Sequence, residues 1–237
     1  MKIIAWNCQG AFRRKAAFIL THKPDILVIS ECEHPDKFKF ESNKLRPKDS
    51  VWFGNNTNKG LGVFSYGNFR FKLLESHNPN FKSILPIAVT GGEIDFTLLA
   101  VWANNPADPD GVYVTQVWKA IHHYDQLLKR RPIILAGDFN SNTIWDRPRR
   151  EGNHSTVVER LEKKKIYSTY HHHFKQKQGK EKHPTFFLHK KSFKPYHIDY
   201  CFASADLIDK LEDVKVGTFK KWIAHSDHSP VTTTFKL

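Results

Sequence analysis

Pro132-Ile133-Ile134-Leu135-Ala136-Gly137-Asp138-Phe139-Asn140 sets a short apolar run directly against a glycine and two polar residues. Ile133 to Ala136 is too short for a helix and follows a proline, so it reads as a buried strand. Polar residues at the end of such a strand lie where the chain leaves the core, and there side chains from several strands can converge. The same arrangement recurs outward along the chain. Ile3 to Trp6 reads as a strand ending in Asn7, and Asp25 to Ser30, bounded by Pro24, ends in Glu31. His197-Ile198-Asp199-Tyr200 opens a late strand, and Ser226-Asp227-His228 precedes the last one. A single strand-end acid is commonly a turn-former. Five polar pieces at strand ends are harder to assign to turns alone.

Further strands are expected around residues 51–53, 61–65, 69–74, 84–89 and 94–102, and later near 185–188, 198–203, 214–218 and 231–235. A basic helix is expected over about 12–21 and another over 155–165. The longest helical candidate is 112–129, where Val114, Val117, Trp118, Ile121, Tyr124, Leu127 and Leu128 recur at three- and four-residue spacing and form one apolar stripe. Residues 174–183, with Lys175, Lys177, Lys180 and Lys182, read as an exposed basic loop. No internal repeat or interdomain linker is visible, so residues 1–237 are expected to form a single domain. Many strands with flanking helices and one continuous core imply two sheets packed together with helices outside.

Composition narrows the partners. Thirty-seven Lys and Arg against 24 Asp and Glu give a net charge of +13, which attracts polyanions because neutralising phosphates releases condensed counterions. No strongly amphipathic basic helix supports a membrane surface, and no apolar run approaches spanning length. The opening Met1-Lys2-Ile3-Ile4-Ala5-Trp6-Asn7 turns polar too soon for an export signal. Cys8, Cys32 and Cys201 fit neither a disulfide framework nor a zinc site. Cys8 and Cys32 adjoin apolar runs and read as small core residues, so a cytoplasmic setting is expected. No protein partner is inferable.

Asn7, Glu31, Gly137-Asp138-Phe139-Asn140, Ile198-Asp199-Tyr200 and Ser226-Asp227-His228 together resemble the ordered motif set of the endonuclease/exonuclease/phosphatase superfamily. The resemblance runs from residue 6 to residue 228; the GDFN and SDH pieces are specific as a pair and weak separately. It implies an α/β fold, a four-layered α/β/β/α sandwich of two packed mixed sheets flanked by helices. It also implies a metal-dependent phosphodiesterase with its site at one edge of the sheets.

Chemistry explains why such residues are needed. A phosphodiester resists hydrolysis because it is anionic and its leaving alkoxide is poor; a hard divalent ion on carboxylate oxygens offsets that charge. The resemblance implies that Glu31 is the principal metal ligand, with Asn7 beside it and Asp227 completing the site. Mg²⁺ is the expected ion, with Mn²⁺ as a substitute. Asp138 resembles the residue that orients or deprotonates the attacking water, and Asn140 the one that hydrogen-bonds the scissile phosphate. Asp199 resembles the carboxylate that fixes the His228 ring and favours its imidazolium. Either Asp138 or His228 is the base.

Around this core the match loosens. Trp102 stands where apurinic-site endonucleases of the superfamily often carry a tyrosine, so it offers no phenol to a phosphate. Asn105 keeps the three-residue offset of the following asparagine and reads equally as a phosphate contact or as a turn residue before Pro106. Phe186 and Tyr196 resemble aromatics around the target nucleotide and are either stacking platforms or rim residues. Three adjacent imidazoles at His171-His172-His173 diverge and read as a solvated or phosphate-facing cluster rather than a metal site. Arg147, with Arg149 and Arg150 and the lysines of 175–191, could line a groove for a phosphate backbone. The expectation is a DNA endonuclease. RNA, a small phosphoester or phospholipid headgroup, and a non-catalytic nucleic-acid-binding module are its rivals.

Overall fold

The structure, a computed structural model, describes residues 1–38, 45–81, 83–104 and 113–237. β1 (Lys2–Asn7) and β2 (Ile26–Cys32) run parallel, so their C-terminal ends reach the same edge. β3 (Asp49–Asn56) and β4 (Lys59–Ser65) form a hairpin laid antiparallel on β2. A second sheet begins with β5 (Arg70–Leu73), β6 (Ile84–Thr90) and β7 (Phe96–Trp102), then takes β8 (Ile133–Asp138) parallel to β7. β9 (Ile166–Ser168) forms its far edge. β10 (Phe186–Phe187) and β11 (Pro195–Tyr196) make a separate two-stranded ribbon. β12 (Asp199–Ser204) returns antiparallel beside β8, while β13 (Leu211–Val216) and β14 (Val231–Phe235) complete the first sheet. The strand orders are β13-β14-β1-β2-β4-β3 and β5-β6-β7-β8-β12-β9.

Alternation along the strands explains the layering. Ile3 and Ala5 of β1, Ile26 and Val28 of β2, and Leu61 and Val63 of β4 face Leu85, Ile87, Leu98, Ala100, Ile134 and Ala136 of the second sheet. The intervening Ile4, Trp6, Leu27 and Ile29 turn outward beneath Ala16 and Ile19 of α1 (Ala16–Leu20) and Trp222 of α6 (Phe219–Trp222). On the other side Leu99, Val101, Ile133, Leu135 and Phe202 are covered by α2 (Val114–His123) and α3 (His154–Lys163). The four-layered α/β/β/α sandwich is therefore a direct result of period-two burial on both faces of both sheets. α4 (Thr169–Phe174) and α5 (Ala205–Ile208) are short connections.

Three expectations change in detail. The helix expected over 112–129 ends at His123, and only a 3₁₀ turn at Leu127–Lys129 follows. The reason is tertiary: the Tyr124 hydroxyl is tied to the Asn78 amide, and Asp125 turns to Arg160 and Lys164 at 2.6 and 2.7 Å. The helix expected over 12–21 is a 3₁₀ turn and then five α-helical residues. Glu33 accepts from the Phe12 and Arg13 amides at 2.6 and 3.1 Å and fixes where it starts. Residues 174–183 are not uniformly solvated. Their lysines are exposed, yet Glu181 turns inward to His171 at 2.9 Å and to Asn142 at 3.2 Å. His171 is thereby packed rather than solvated, His172 is exposed, and His173 lies 3.8 Å from Asp213, so the three rings share no partner.

Candidate active site

Local backbone geometry brings the strand-end residues together. Asn7 pairs in register with Ser30, and the ladder between β2 and β4 then skips from Ser30 to Cys32. Glu31 occupies the skipped position at φ 60°, a bulge that re-aims its side chain toward Asn7. Across the second sheet Asp138 and Asp199 are direct partners in the antiparallel register, so two carboxylates stand on one face. Gly137 lets the chain do this: it sits at φ 140°, and a Cβ there would land on the Val101 carbonyl. Asn140, at φ 50°, closes the turn and donates its amide to Asp138 Oδ1 at 2.9 Å. Its side-chain Nδ2 donates to the Ala103 carbonyl at 3.2 Å.

These pieces form one hydrogen-bonded chain. Asn7 Nδ2 donates to Asp138 Oδ2 at 3.0 Å and to Glu31 Oε1 at 3.3 Å. His228 Nδ1 lies 2.8 Å from Asp199 Oδ2, with both side chains buried. Ser226 Oγ donates to the Asn7 carbonyl at 2.8 Å and accepts from the His228 amide at 3.0 Å, which ties the two ends of the sequence together. Thr185 Oγ1 accepts from the Ile198 and Asp199 amides at 2.9 and 3.0 Å and fixes the start of β12. Asp138, Asp199 and His228 offer atoms within 4.8 Å of one another, a group that could hold a metal ion.

The charges are strongly coupled. Burial, with the Asp199 charge beside it, raises the Asp138 carboxyl to about 7 despite opposing help from His228, Asn7 and the Asn140 amide. Burial pulls His228 down, but the charge and hydrogen bond of Asp199, joined by Asp138 and Asp227, outweigh it and lift the ring to about 9. The balance at His228 therefore favours the imidazolium. With Nδ1 committed to Asp199, its chemistry rests on Nε2.

The predicted residues around this core lie at different depths. Asp227 lies beside His228, half-buried, with Oδ1 3.4 Å from the Ser226 hydroxyl. Trp102 stands opposite Asp138 in register but is only 6% exposed and packs in the inter-sheet core, so it forms a wall beside the acids. Asn105 lies outside the described residues. Phe186 packs 4.7 Å from the His228 ring, and Tyr196 stacks on Phe186 at 6.4 Å. Trp145, 48% exposed, continues this row 5.0 Å from Tyr196. Arg147 is exposed, with its backbone clasped by Asn153. Lys59 and Thr185 support the site without a sequence signal for that role, whereas Ser226 belongs to the SDH piece read from the sequence. Lys59 Nζ stands 3.0 Å from Glu31 Oε2. A lysine between an Asn-rich turn and Gly60 reads only as a hairpin residue.

Fold and site define the class: an enzyme that hydrolyses phosphoester bonds, built as a two-sheet sandwich with its acids at one edge. The chain belongs to the Endonuclease/Exonuclease/phosphatase family, whose profile matches residues 4–214. Among solved structures it resembles an AP endonuclease from Archaeoglobus fulgidus, with TM-score 0.73, 15% identity and 100% of both chains covered. It likewise resembles the 3′ phosphatase NExo from Neisseria bound to product DNA hairpin, with TM-score 0.72, 21% identity and 100% of both chains covered. The 3′-5′ exonuclease NExo from Neisseria meningitidis matches at TM-score 0.72 and 20% identity over 100% of both chains. No curated protein sequence matches the chain.

Proposed function

We propose that this chain is a Mg²⁺-dependent phosphodiesterase of nucleic acid, a DNA endonuclease contained in one catalytic domain over residues 1–237. The observation that carries the reading is the buried Asp138–Asp199–His228 cluster, joined through Asn7 to Glu31 at the cleft rim. A row of aromatic rings leads away from it, and the protein carries +13 charge.

The donor set fits a hard divalent ion. Glu31 and Asp227 offer carboxylate oxygens, and Asp199 Oδ1 is buried with no hydrogen-bond partner among the described residues. Glu31, with Asn7 and Asp227, would hold Mg²⁺ or Mn²⁺, and the ion would neutralise phosphate charge in the transition state. The chain's own residues do the rest. Asp138, poised near neutrality, accepts the proton of the attacking water. His228, held cationic by Asp199, faces the developing negative charge through Nε2. Asn140, its amide fixed on Ala103, positions a phosphate oxygen. Phe186 and Tyr196 offer faces to a base or sugar, and Arg147 and Lys191 extend the contact to flanking phosphates. Three buried free thiols suit a cytoplasmic setting.

The test is cleavage of supercoiled plasmid and of end-labelled duplexes, intact and abasic, with Mg²⁺ and with chelator. Metal-dependent nicking that Asp138→Asn abolishes supports the proposal; nicking that survives in that variant sinks it. The NExo likenesses favour a second reading, removal of a 3′ phosphate or 3′ nucleotide. A 3′-phosphorylated duplex in the same assay separates end-processing from internal cleavage, and an RNA duplex tests the sugar.

A further inference from the structure

Lys59 is the first residue of β4 and follows the turn that joins it to β3. The ladder slips between Phe53 and Asn56, and Asn56 then pairs with Lys59. Gly60 packs so closely on the Trp52 ring and the Phe53 carbonyl that no Cβ fits there. This close approach fixes the backbone from which the Lys59 side chain leaves.

That side chain is half exposed, and its ammonium meets two features of the site. Nζ lies 3.0 Å from Glu31 Oε2 and 5.7 Å from the centroid of the Trp102 ring, the residue opposite Asp138. The other Glu31 oxygen accepts from Asn7 Nδ2. Each oxygen of the carboxylate thus has one donor already, with further lone pairs free for an ion. A divalent cation on Glu31 must share the carboxylate with a lysine, and the two positive charges repel. Lysine is suited to yield: its charge rides on a flexible four-carbon stem, and from the same position the ammonium already lies over the Trp102 ring. Asp138 lies on the other side of Asn7 from Glu31, and a bound substrate would add its phosphate as a further anion at this edge.

We propose that Lys59 is a phosphate-contacting residue that divides its ammonium between Glu31 and the substrate, and so couples divalent-ion binding to substrate binding. In the free protein Lys59 opposes the ion. Bound phosphate draws the ammonium off Glu31, relieves the repulsion and tightens the ion's hold; by reciprocity the ion tightens the hold on phosphate. The proposal rests on the reading of Glu31 as a metal ligand.

The test measures Mn²⁺ binding by electron paramagnetic resonance, with and without a DNA duplex, in an inactive Asp138→Asn background. Lys59→Met should bind Mn²⁺ about tenfold more tightly than its parent without DNA, from the repulsion of a single and a double charge about 5 Å apart in water-like surroundings. The tightening by DNA seen in the parent should shrink at least severalfold in Lys59→Met and persist in Lys59→Arg. If Lys59→Met binds Mn²⁺ within twofold of the parent, and DNA tightens both equally, the proposal fails. Glu31→Gln separates the layers. Weak Mn²⁺ binding there, with no change in Lys59→Met, overturns the Lys59 proposal alone; unchanged Mn²⁺ binding in Glu31→Gln overturns the Glu31 reading and this proposal with it.

Discussion

Replacing Asp199 by Asn removes one charge from the centre of the site while keeping its shape. The Asn oxygen can still accept from His228 Nδ1, as Asp199 Oδ2 does at 2.8 Å, so the ring keeps its place. Burial persists and now works unopposed by its strongest counterweight. The rise of His228 from 6.5 to about 9 corresponds to roughly 3 kcal/mol in favour of the imidazolium, most of it from Asp199. Without it the ring should titrate at or below 6.5. At pH 8 the cationic fraction would then fall from roughly nine-tenths to a few per cent, about a thirtyfold loss in kcat/KM if the cation is the working form. Asp138 also loses the repulsion that helps hold it near 7, so the acid limb should move down with the alkaline one. The assay is a pH profile of kcat/KM from pH 5 to 10 at saturating Mg²⁺, with the His228 ring followed by nitrogen NMR. Wild type should be bell-shaped between about 7 and about 9, and the variant's whole bell should shift toward acid. An alkaline limb still near 9 in the variant, or a loss uniform at every pH, would show that Asp199 does not supply the charge.

Asp138→Asn should lose at least about a thousandfold in kcat while still binding DNA, and it should also be more stable than wild type in alkali. The sign follows from linkage. The folded protein holds the Asp138 proton up to about 7 while the unfolded chain releases it near 3.8, so wild-type stability falls as pH rises through that window and the variant escapes the fall. Thermal melts at pH 5 and pH 8 check it: a Tm advantage of several degrees should appear at pH 8 and shrink at pH 5. Gly137→Ala should cost more than about 3 kcal/mol, measured by urea denaturation, since both the φ of 140° and the Val101 carbonyl oppose a Cβ. Phe186→Ala and Tyr196→Ala should each weaken binding of single-stranded DNA by about 1–3 kcal/mol without altering Mn²⁺ affinity. Binding unchanged in both would make these rings packing residues.

The layers and the acids were legible because both rest on short-range rules. Short continuous apolar runs identify β1, β2, β7 and β8, alternation marks β14, and a parallel pair such as β1 and β2 must deliver Asn7 and Glu31 to the same edge. What escaped the sequence depends on partners distant along the chain. Tyr124 ends a helix because of Asn78, and Glu181 leaves a lysine-rich stretch because of His171 and Asn142. Glu181 resists the cost of burial through those bonds and the Gly179 amide, which hold it down at about 2. The bulge at Glu31 and the contact from Lys59 arise from the register of a neighbouring hairpin, which no local pattern encodes.

The distribution of charge separates recognition from hydrolysis. The chain carries +13 overall, yet Glu31, Asp138, Asp199 and Asp227 crowd one edge with only His228 and Lys59, among the described residues, in direct ion pairs with them. Phe193, 72% exposed, and the lysines around it on the β10–β11 ribbon lie beyond that acidic centre. On the function proposed above, a nucleic acid would be attracted by the surface but repelled at the last few ångströms, where its phosphate approaches carboxylates that burial has already made costly. A divalent ion would cancel that final repulsion. Chelation should accordingly abolish cleavage while reducing DNA affinity by no more than about tenfold, the coupling that one shared lysine can carry. Fluorescence anisotropy of a labelled duplex, with Mg²⁺ and with chelator across a salt series, measures both quantities. If chelation abolished binding as completely as cleavage, the surface lysines would not be the source of affinity, and recognition would have to reside in the metal centre itself.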